Sequence, residues 1–252
     1  HVKLLEELLK QDVLVVTTGC NAIAAAKAGL MMPAAAERAG HEVGVADLCF
    51  GRQPVGHLQR RIRDFRPDVV GVSIRNIDNA AYPLTIDYMP RHRQLVDAIR
   101  ATTGARVVVG GSGFSIMPEQ YMQALGADFG IQGAGEYAVV ALLDALAGQR
   151  NPGNIPGLVP AHPSADGGPA AAIAPAQYAQ SRDSLRPARH LFDYARYLRR
   201  GGCGNIQTKR GCVFRCSYCT YPLLEGKRFE LRAAADVVDE IEALQMRYGL
   251  PL

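Results

Sequence analysis

The sequence predicts an α/β protein with a doubly wound parallel sheet, and three observations carry that expectation. Short Val- and Ile-rich runs recur as Asp12 to Thr17, His41 to Asp47, Pro67 to Ile74, Ala105 to Val109 and Ala127 to Ile131. They are continuous rather than strictly alternating, which suits strands covered on both faces. Helical stretches separate them: Asn21 to Ala39, Val55 to Phe65, Arg91 to Thr102, Pro118 to Leu125 and Glu136 to Ala147. Strand alternating with helix in this way reads as a doubly wound domain.

Composition supports the same class. The 252 residues are 48% apolar, enough for one large core or two ordinary ones. A charged fraction of 21% argues against disorder, and a net charge of +4 is too mild for a nucleic-acid binder. No uncharged apolar run reaches the roughly eighteen residues of a membrane-spanning helix. His1 to Lys10 alternates charged and apolar residues and lacks a secretory hydrophobic region. Six cysteines are too few for a disulfide scaffold, and three of them crowd between Cys212 and Cys219. That distribution suits a metal site in a reducing cytoplasm, the expected compartment.

The expected organisation is an α/β domain over residues 1–150, with 1–40 of uncertain origin. A Pro-, Gly- and Ala-rich linker with a short helix follows over 151–200, and a second domain begins over 201–252. Within the linker a hairpin is expected around Ile155 to Val159 and Ala171 to Ala174, and a helix over His190 to Arg200. Asn205 to Thr208 reads as a strand running into the cysteines, and Ala233 to Tyr248 as a helix.

The sharpest signal is Gly211-Cys212-Val-Phe-Arg-Cys216-Ser-Tyr218-Cys219. One loop can wrap three such thiols around a metal centre. Three ligands without a nearby histidine fall one short of a structural zinc site, which closes with four. An iron–sulfur cluster with one open iron fits three thiolates better. Lys209 and Arg210 are expected to offset the negative charge of that cluster. Zinc and a chance grouping are the alternatives, and Cys203 is expected to be a buried or incidental thiol.

This cysteine spacing, with an aromatic residue before the last cysteine, resembles the signature of radical S-adenosylmethionine enzymes. The resemblance implies a [4Fe–4S] cluster on Cys212, Cys216 and Cys219. Its open iron would bind S-adenosylmethionine, with Tyr218 against the adenine. One electron from the cluster would then cleave the sulfonium to methionine and a 5′-deoxyadenosyl radical, and a reductant such as flavodoxin or ferredoxin would supply it.

Three loops fall at the carboxyl ends of the expected strands, where doubly wound sheets bind ligands. Ser73-Ile-Arg75-Asn76-Ile-Asp78-Asn79 is a dense row of hydrogen-bonding side chains. In Gly110-Gly111-Ser112-Gly113-Phe114-Ser115 the glycines let backbone approach a large ligand and expose its amides. Gly133-Ala-Gly135-Glu136 opens a helix. Together with the cysteine signature these strings resemble the cobalamin-binding radical S-adenosylmethionine family, in a subgroup called lipid-biosynthesis-like, over residues 41–252. The resemblance implies that the sheet carries cobalamin, with Ser73, Arg75, Asn76, Asp78, Asn79, Gly110, Gly111, Ser112, Gly113, Gly133, Gly135 and Glu136 around it. It also implies that residues 201–252 contribute the first βα unit of a partial barrel. One departure stands out: relatives that ligate cobalt through histidine carry Asp-x-His-x-x-Gly, and here the stretch is Asp47-Leu-Cys49-Phe-Gly-Arg52. Cobalamin without a histidine beneath the cobalt is expected; His57 reads as a surface residue of a helix.

The implied activity is methyl transfer to, or rearrangement at, an unactivated carbon of a small-molecule substrate. The alternatives are a cobalamin-binding module without catalysis and a radical enzyme that does not use cobalamin. Residues 220–252 are far fewer than the roughly 200 of a full barrel, so this chain as given is expected not to complete the reaction, even if its parent does. At the other end, Leu8 to Ala22, with Gly19-Cys20, and Ala26 to Leu30 resemble a segment of carbon monoxide dehydrogenases and hybrid-cluster proteins. There the cysteine matching Cys20 is a cluster ligand. The alternative is that Asp12 to Thr17 is simply the first strand of the sheet.

Overall fold

The structure is a computed structural model describing residues 10–18, 31–153, 155–161 and 185–249. Cys20, residues 21–30 of the first expected helix and the Ala171 to Ala174 arm of the expected hairpin lie outside the described residues.

Five parallel strands form the sheet: β1 (Asp12–Thr17), β2 (Glu42–Asp47), β3 (Val69–Ser73), β4 (Arg106–Gly110) and β5 (Phe129–Ile131). A short β6 (Leu158–Pro160) adds antiparallel to β5, giving the order β2-β1-β3-β4-β5-β6. The chain reverses direction across the sheet between β1 and β3, the topological switch point of this strand order. Residue 150 is therefore not the end of the sheet, because β6 belongs to it.

Val13 and Val15 point to one face of β1, Leu14 and Val16 to the other, and all four are buried. Leu14, Val16, Val70, Val72, Val107 and Val109 pack under α2 (Pro54–Phe65), α3 (Met89–Arg100), α4 (Ser112–Ile116) and α5 (Pro118–Leu125). Val13, Val15, Val43, Val69 and Val108 pack under α1 (Met31–Arg38) and α6 (Glu136–Ala147). Burial on both faces is why these strands read as unbroken apolar runs.

Register aligns the carboxyl ends. Thr17 pairs with Asp47 and with Ser73, Ser73 with Gly110, and Gly110 with Ile131. Every following loop therefore leaves from one edge.

The expected helix over His190 to Arg200 is a 3-10 turn (Arg189–Leu191) followed by α7 (Tyr194–Arg199), capped by the Asp193 side chain accepting from Arg196 N. The expected strand at Asn205 to Thr208 does not form. Its ladder lies one step later, between β7 (Lys209–Arg210) and β8 (Glu230–Leu231). Two further helices, α8 (Tyr221–Glu225) and α9 (Ala234–Tyr248), complete the described fold. Among the described residues no helix is long and apolar enough to cross a membrane.

Candidate cofactor cleft

The loops after β3 and β4 are sewn to each other. Ile74 N donates to Gly110 O at 2.7 Å, Gly113 N to Ile74 O at 3.0 Å, and Ser112 Oγ to Arg75 O at 3.0 Å. Gly111 has φ +100°, and a Cβ there would overlap Ile74 O. A Cβ on Gly113 would press on Arg75 O at 2.9 Å. The glycines thus permit two backbones to meet, whereas the sequence suggested an approach to a ligand. What reads as a loop at 112–116 is the helix α4, with Phe114 fully buried.

Ser115 carries the wall one loop further. Its hydroxyl donates to Gly111 O at 2.8 Å and accepts from Gly133 N at 2.9 Å. Ser115 closes the Gly110 to Ser115 string, but its bond to Gly133 depends on the fold joining residues 18 positions apart. After β3, Asn79 is occupied by its own loop: Nδ2 donates to Leu84 O at 3.0 Å and Oδ1 accepts from Ile86 N at 2.8 Å. Asp78 Oδ1 accepts from Ala80 N at 2.7 Å. Both residues shape a projecting loop. Arg75 differs: its guanidinium is half-buried, burial holds its pKa below the ordinary arginine value, and it has no hydrogen-bond or ion-pair partner among the described residues.

These loops line an open cleft. Ser73, Gly111, Ser112, Ser115, Gly133, Gly135 and Glu136 form one side, and Gln207, Arg210, Leu224 and Glu225 the other. The cleft therefore joins the sheet edge to the segment flanking the cysteines. Asn76, in the loop after β3, is exposed.

The cysteine loop is fixed at its base. Gly211 has φ +71°, where a Cβ would overlap Arg228 O, and Cys212 N donates to Gly226 O at 3.0 Å. Cys212 is half-buried, Cys216 and Cys219 are exposed, and all three are free thiols. Tyr218 is 88% exposed, and Val213, Phe214 and Leu223 stand exposed nearby. No three His, Cys, Asp or Glu side chains among the described residues converge enough to hold a metal ion. That departs from a preformed zinc site. The thiolates of a cubane each take a different iron and need not converge on one point, so the donor set suits a cluster.

The two cations preceding the loop turn elsewhere. Lys209 Nζ sits over the Phe229 ring, 4.2 Å from its centroid, and Arg210 Nη2 pairs with Glu136 Oε1. Cys203 is exposed rather than buried. His57 lies on α2, half-exposed, as expected.

The stretch after β2 is tied down on the opposite side. Asp47 accepts from Thr17 Oγ1, Cys49 N and the Tyr197 hydroxyl. Phe50 packs on Tyr197 with ring centroids 4.5 Å apart, and the Arg196 guanidinium covers Phe50 at 4.4 Å.

A five-stranded parallel sheet in this order, with a ligand cleft at its carboxyl edge, defines a doubly wound cofactor-binding domain. Residues 11–143, just over half of the chain, match the B12 binding domain, and the chain belongs to that family. Among curated proteins it is 31% identical to tryptophan 2-C-methyltransferase of Streptomyces laurentii, over 85% of this chain and 43% of that protein. It is 27% identical to hopanoid C-3 methylase of Methylococcus capsulatus, over 82% of this chain and 38% of that one. The chain thus spans less than half the length of these relatives. Among solved structures, the radical S-adenosylmethionine methyltransferase TsrM of Kitasatospora setae, with cobalamin and a [4Fe–4S] cluster bound, superposes with a TM-score of 0.75. Identity is 31%, covering 93% of this chain and 46% of TsrM. The cobalamin-dependent radical enzyme OxsB shares the fold, with a TM-score of 0.74 at 16% identity. Separately, carbon monoxide dehydrogenase 1 of Methanosarcina mazei is 55% identical over 60 residues, which are 23% of this chain and 9% of that enzyme. This bears out the resemblance read in the first residues.

Proposed function

We propose that this chain is the cofactor-binding portion of a cobalamin-dependent radical S-adenosylmethionine methyltransferase, acting on an unactivated carbon of a small molecule. The observation that carries this reading is the shared cleft: the sheet-edge loops form one wall, and residues on both sides of the cysteine loop form the other. When bound, cobalamin supplies methyl-carrying chemistry and the cluster with S-adenosylmethionine supplies one-electron chemistry.

The chain's own residues position these groups. Cys212, Cys216 and Cys219 are the cluster ligands in this reading, with Tyr218 beside the adenine. Ser112 and Ser115 hold the cleft wall through the bonds described above, and Ser73, Gly133 and Gly135 line it. Arg75 offers a partly desolvated cation to an acceptor on the ligand. The stretch Asp47-Leu-Cys49-Phe-Gly-Arg52, tied to Thr17 and Tyr197, holds no histidine and would offer none to a bound cobalamin. The reading places the protein in a reducing cytoplasm, served by a reductant of flavodoxin or ferredoxin type and without a nucleic-acid partner.

Anaerobic reconstitution with iron, sulfide and hydroxocobalamin tests it, followed by metal counts and ultraviolet–visible spectra after desalting. About four irons and one cobalt per chain are expected. Cobalt alone would reduce the chain to a cobalamin-binding module, and iron alone would leave a radical enzyme without cobalamin.

A further inference from the structure

One ion pair crosses the cleft. Arg210 ends β7, two residues before Cys212, and Glu136 opens α6 just beyond β5. They are 74 residues apart in sequence, and both line the cleft. Their side chains are only 22% and 14% exposed. Water screens such a pair less than it screens a pair on the open surface.

We propose that Glu136 and Arg210 are positioning residues that set where the cysteine loop stands relative to the sheet edge. Glu136 thus acts through Arg210 and not as a direct cobalamin contact. What the two sides carry rests on the function proposed above; the contact between them does not.

Both ends of the pair are anchored, so it transmits position. On one side, Arg210 is laddered to Glu230, Gly211 is seated against Arg228, and Cys212 N is bonded to Gly226 O. Displacing the Arg210 head group therefore displaces the start of the cysteine loop. On the other side, Glu136 is the first helical residue of α6, where the helix dipole favours its negative charge. The backbone there is confined too, since a Cβ on Gly135 would press on Met32 Sδ at 3.0 Å.

Two other polar ties act on the approach to β7. Arg189 Nη2 donates to Asn205 O at 2.6 Å and Arg232 Nη1 to Gln207 O at 2.9 Å. These hold the approach to β7 from behind, while Glu136 holds Arg210 from the sheet side. A residue that merely balanced cluster charge would not need a carboxylate partner across the cleft.

Amide hydrogen exchange on the cofactor-free chain tests the pair without relying on any cofactor. In E136Q, exchange at residues 209–212 should accelerate roughly tenfold, the factor for losing one charge-assisted hydrogen bond. Exchange in β1, β3 and β4 should stay as in the parent. R210Q leaves the start of α6 untouched and must reproduce the effect. Parental exchange at 209–212 in either variant would overturn the proposal, and so would acceleration spread equally through the sheet in both.

A second arm uses the loaded chain. Spin–spin coupling between Co(II) cobalamin and the reduced cluster reports their separation. E136Q should broaden or weaken that coupling, and the swap E136R/R210E should restore it relative to E136R. Unchanged coupling in E136Q would overturn the proposal. If the parent chain takes up neither cofactor, the function proposed above fails, and the exchange measurement still decides the role of the pair.

Discussion

The Tyr197 hydroxyl donates to Asp47 Oδ2 at 2.6 Å, joining residues 150 positions apart. The other carboxylate oxygen accepts from Thr17 Oγ1 at 3.2 Å and from Cys49 N at 3.0 Å. One side chain therefore ties the ends of β1 and β2 to the turn that follows and to α7. Burial, and then the Asp47 carboxylate, push the Tyr197 hydroxyl well above the ordinary phenol range. Tyr197→Phe removes one charge-assisted bond while leaving Asp47 two donors, a loss of about 1.5–3 kcal/mol. Urea unfolding should show a lower midpoint at constant slope. A parental midpoint would mean that the link contributes nothing net.

Glu240 is another carboxylate on which distant segments converge. It is 3% exposed, ion-paired with Arg189 Nη1 at 2.5 Å and hydrogen-bonded from Arg232 Nη1 at 2.6 Å. Both arginines also donate to the backbone leading into β7. Glu240→Gln leaves two guanidinium groups without their counter-charge, and breaking a buried pair costs about 3–5 kcal/mol. Thermal unfolding should therefore begin at markedly lower temperature. Asp239→Asn is the control, because its pair with Arg186 lies on the exposed surface and is worth about 1 kcal/mol or less.

The sheet was legible because burial on two faces writes itself into consecutive residues. β1, α5 and α6 fall at the expected residues, and the other parallel strands, β2 to β5, within one or two positions. The helix at Ser112–Ile116 was not legible. Gly113 within it has low helix propensity, and what holds it is Phe114 in the core and the Ser115 bond back to Gly111. β7 was misplaced because its partner, Glu230–Leu231, lies twenty residues on and its pairing is only two residues long. The cysteine spacing announced a cluster loop, but Arg210 turning to Glu136 and Tyr197 to Asp47 could not be read. A charged or hydroxyl side chain carries no periodicity that names its partner, and only the closed fold brings these pairs together.

His92 gives the protein an acid limb. It is 4% exposed, its Nδ1 lies 3.3 Å from the Tyr121 hydroxyl, and burial pushes its pKa down to about 4, slightly opposed by Asp87. The folded state therefore holds His92 neutral, whereas the unfolded chain protonates it near its usual value of about 6.5. Protons bind more readily to the unfolded chain between those values, so stability is complete above pH ~6.5 and declines down to ~4. The loss attributable to His92 is on the order of 3 kcal/mol. His41, also lowered by burial, adds in the same direction. Denaturant midpoints followed from pH 7.5 to 4.5 should fall less steeply in His92→Phe. An equal slope would show that His92 is not a source of the decline.

Arg75 and Gly111 separate binding from folding at the same edge. Gly111 sits at φ +100° and ψ 174°, a region open essentially to glycine alone, with Ile74 O where a Cβ would be. Gly111→Ala should destabilise by about 1–3 kcal/mol from backbone strain and weaken hydroxocobalamin binding through the displaced loops. The Arg75 guanidinium has no hydrogen-bond or ion-pair partner among the described residues to lose. Arg75→Ala should stay within about 0.5 kcal/mol of the parent in stability while raising the hydroxocobalamin Kd roughly tenfold, the effect of one lost charge-assisted contact. Paired denaturation and binding titrations check both variants. If Arg75→Ala loses stability and keeps its affinity, the guanidinium belongs to the fold and the cation facing the ligand must be sought elsewhere on this edge.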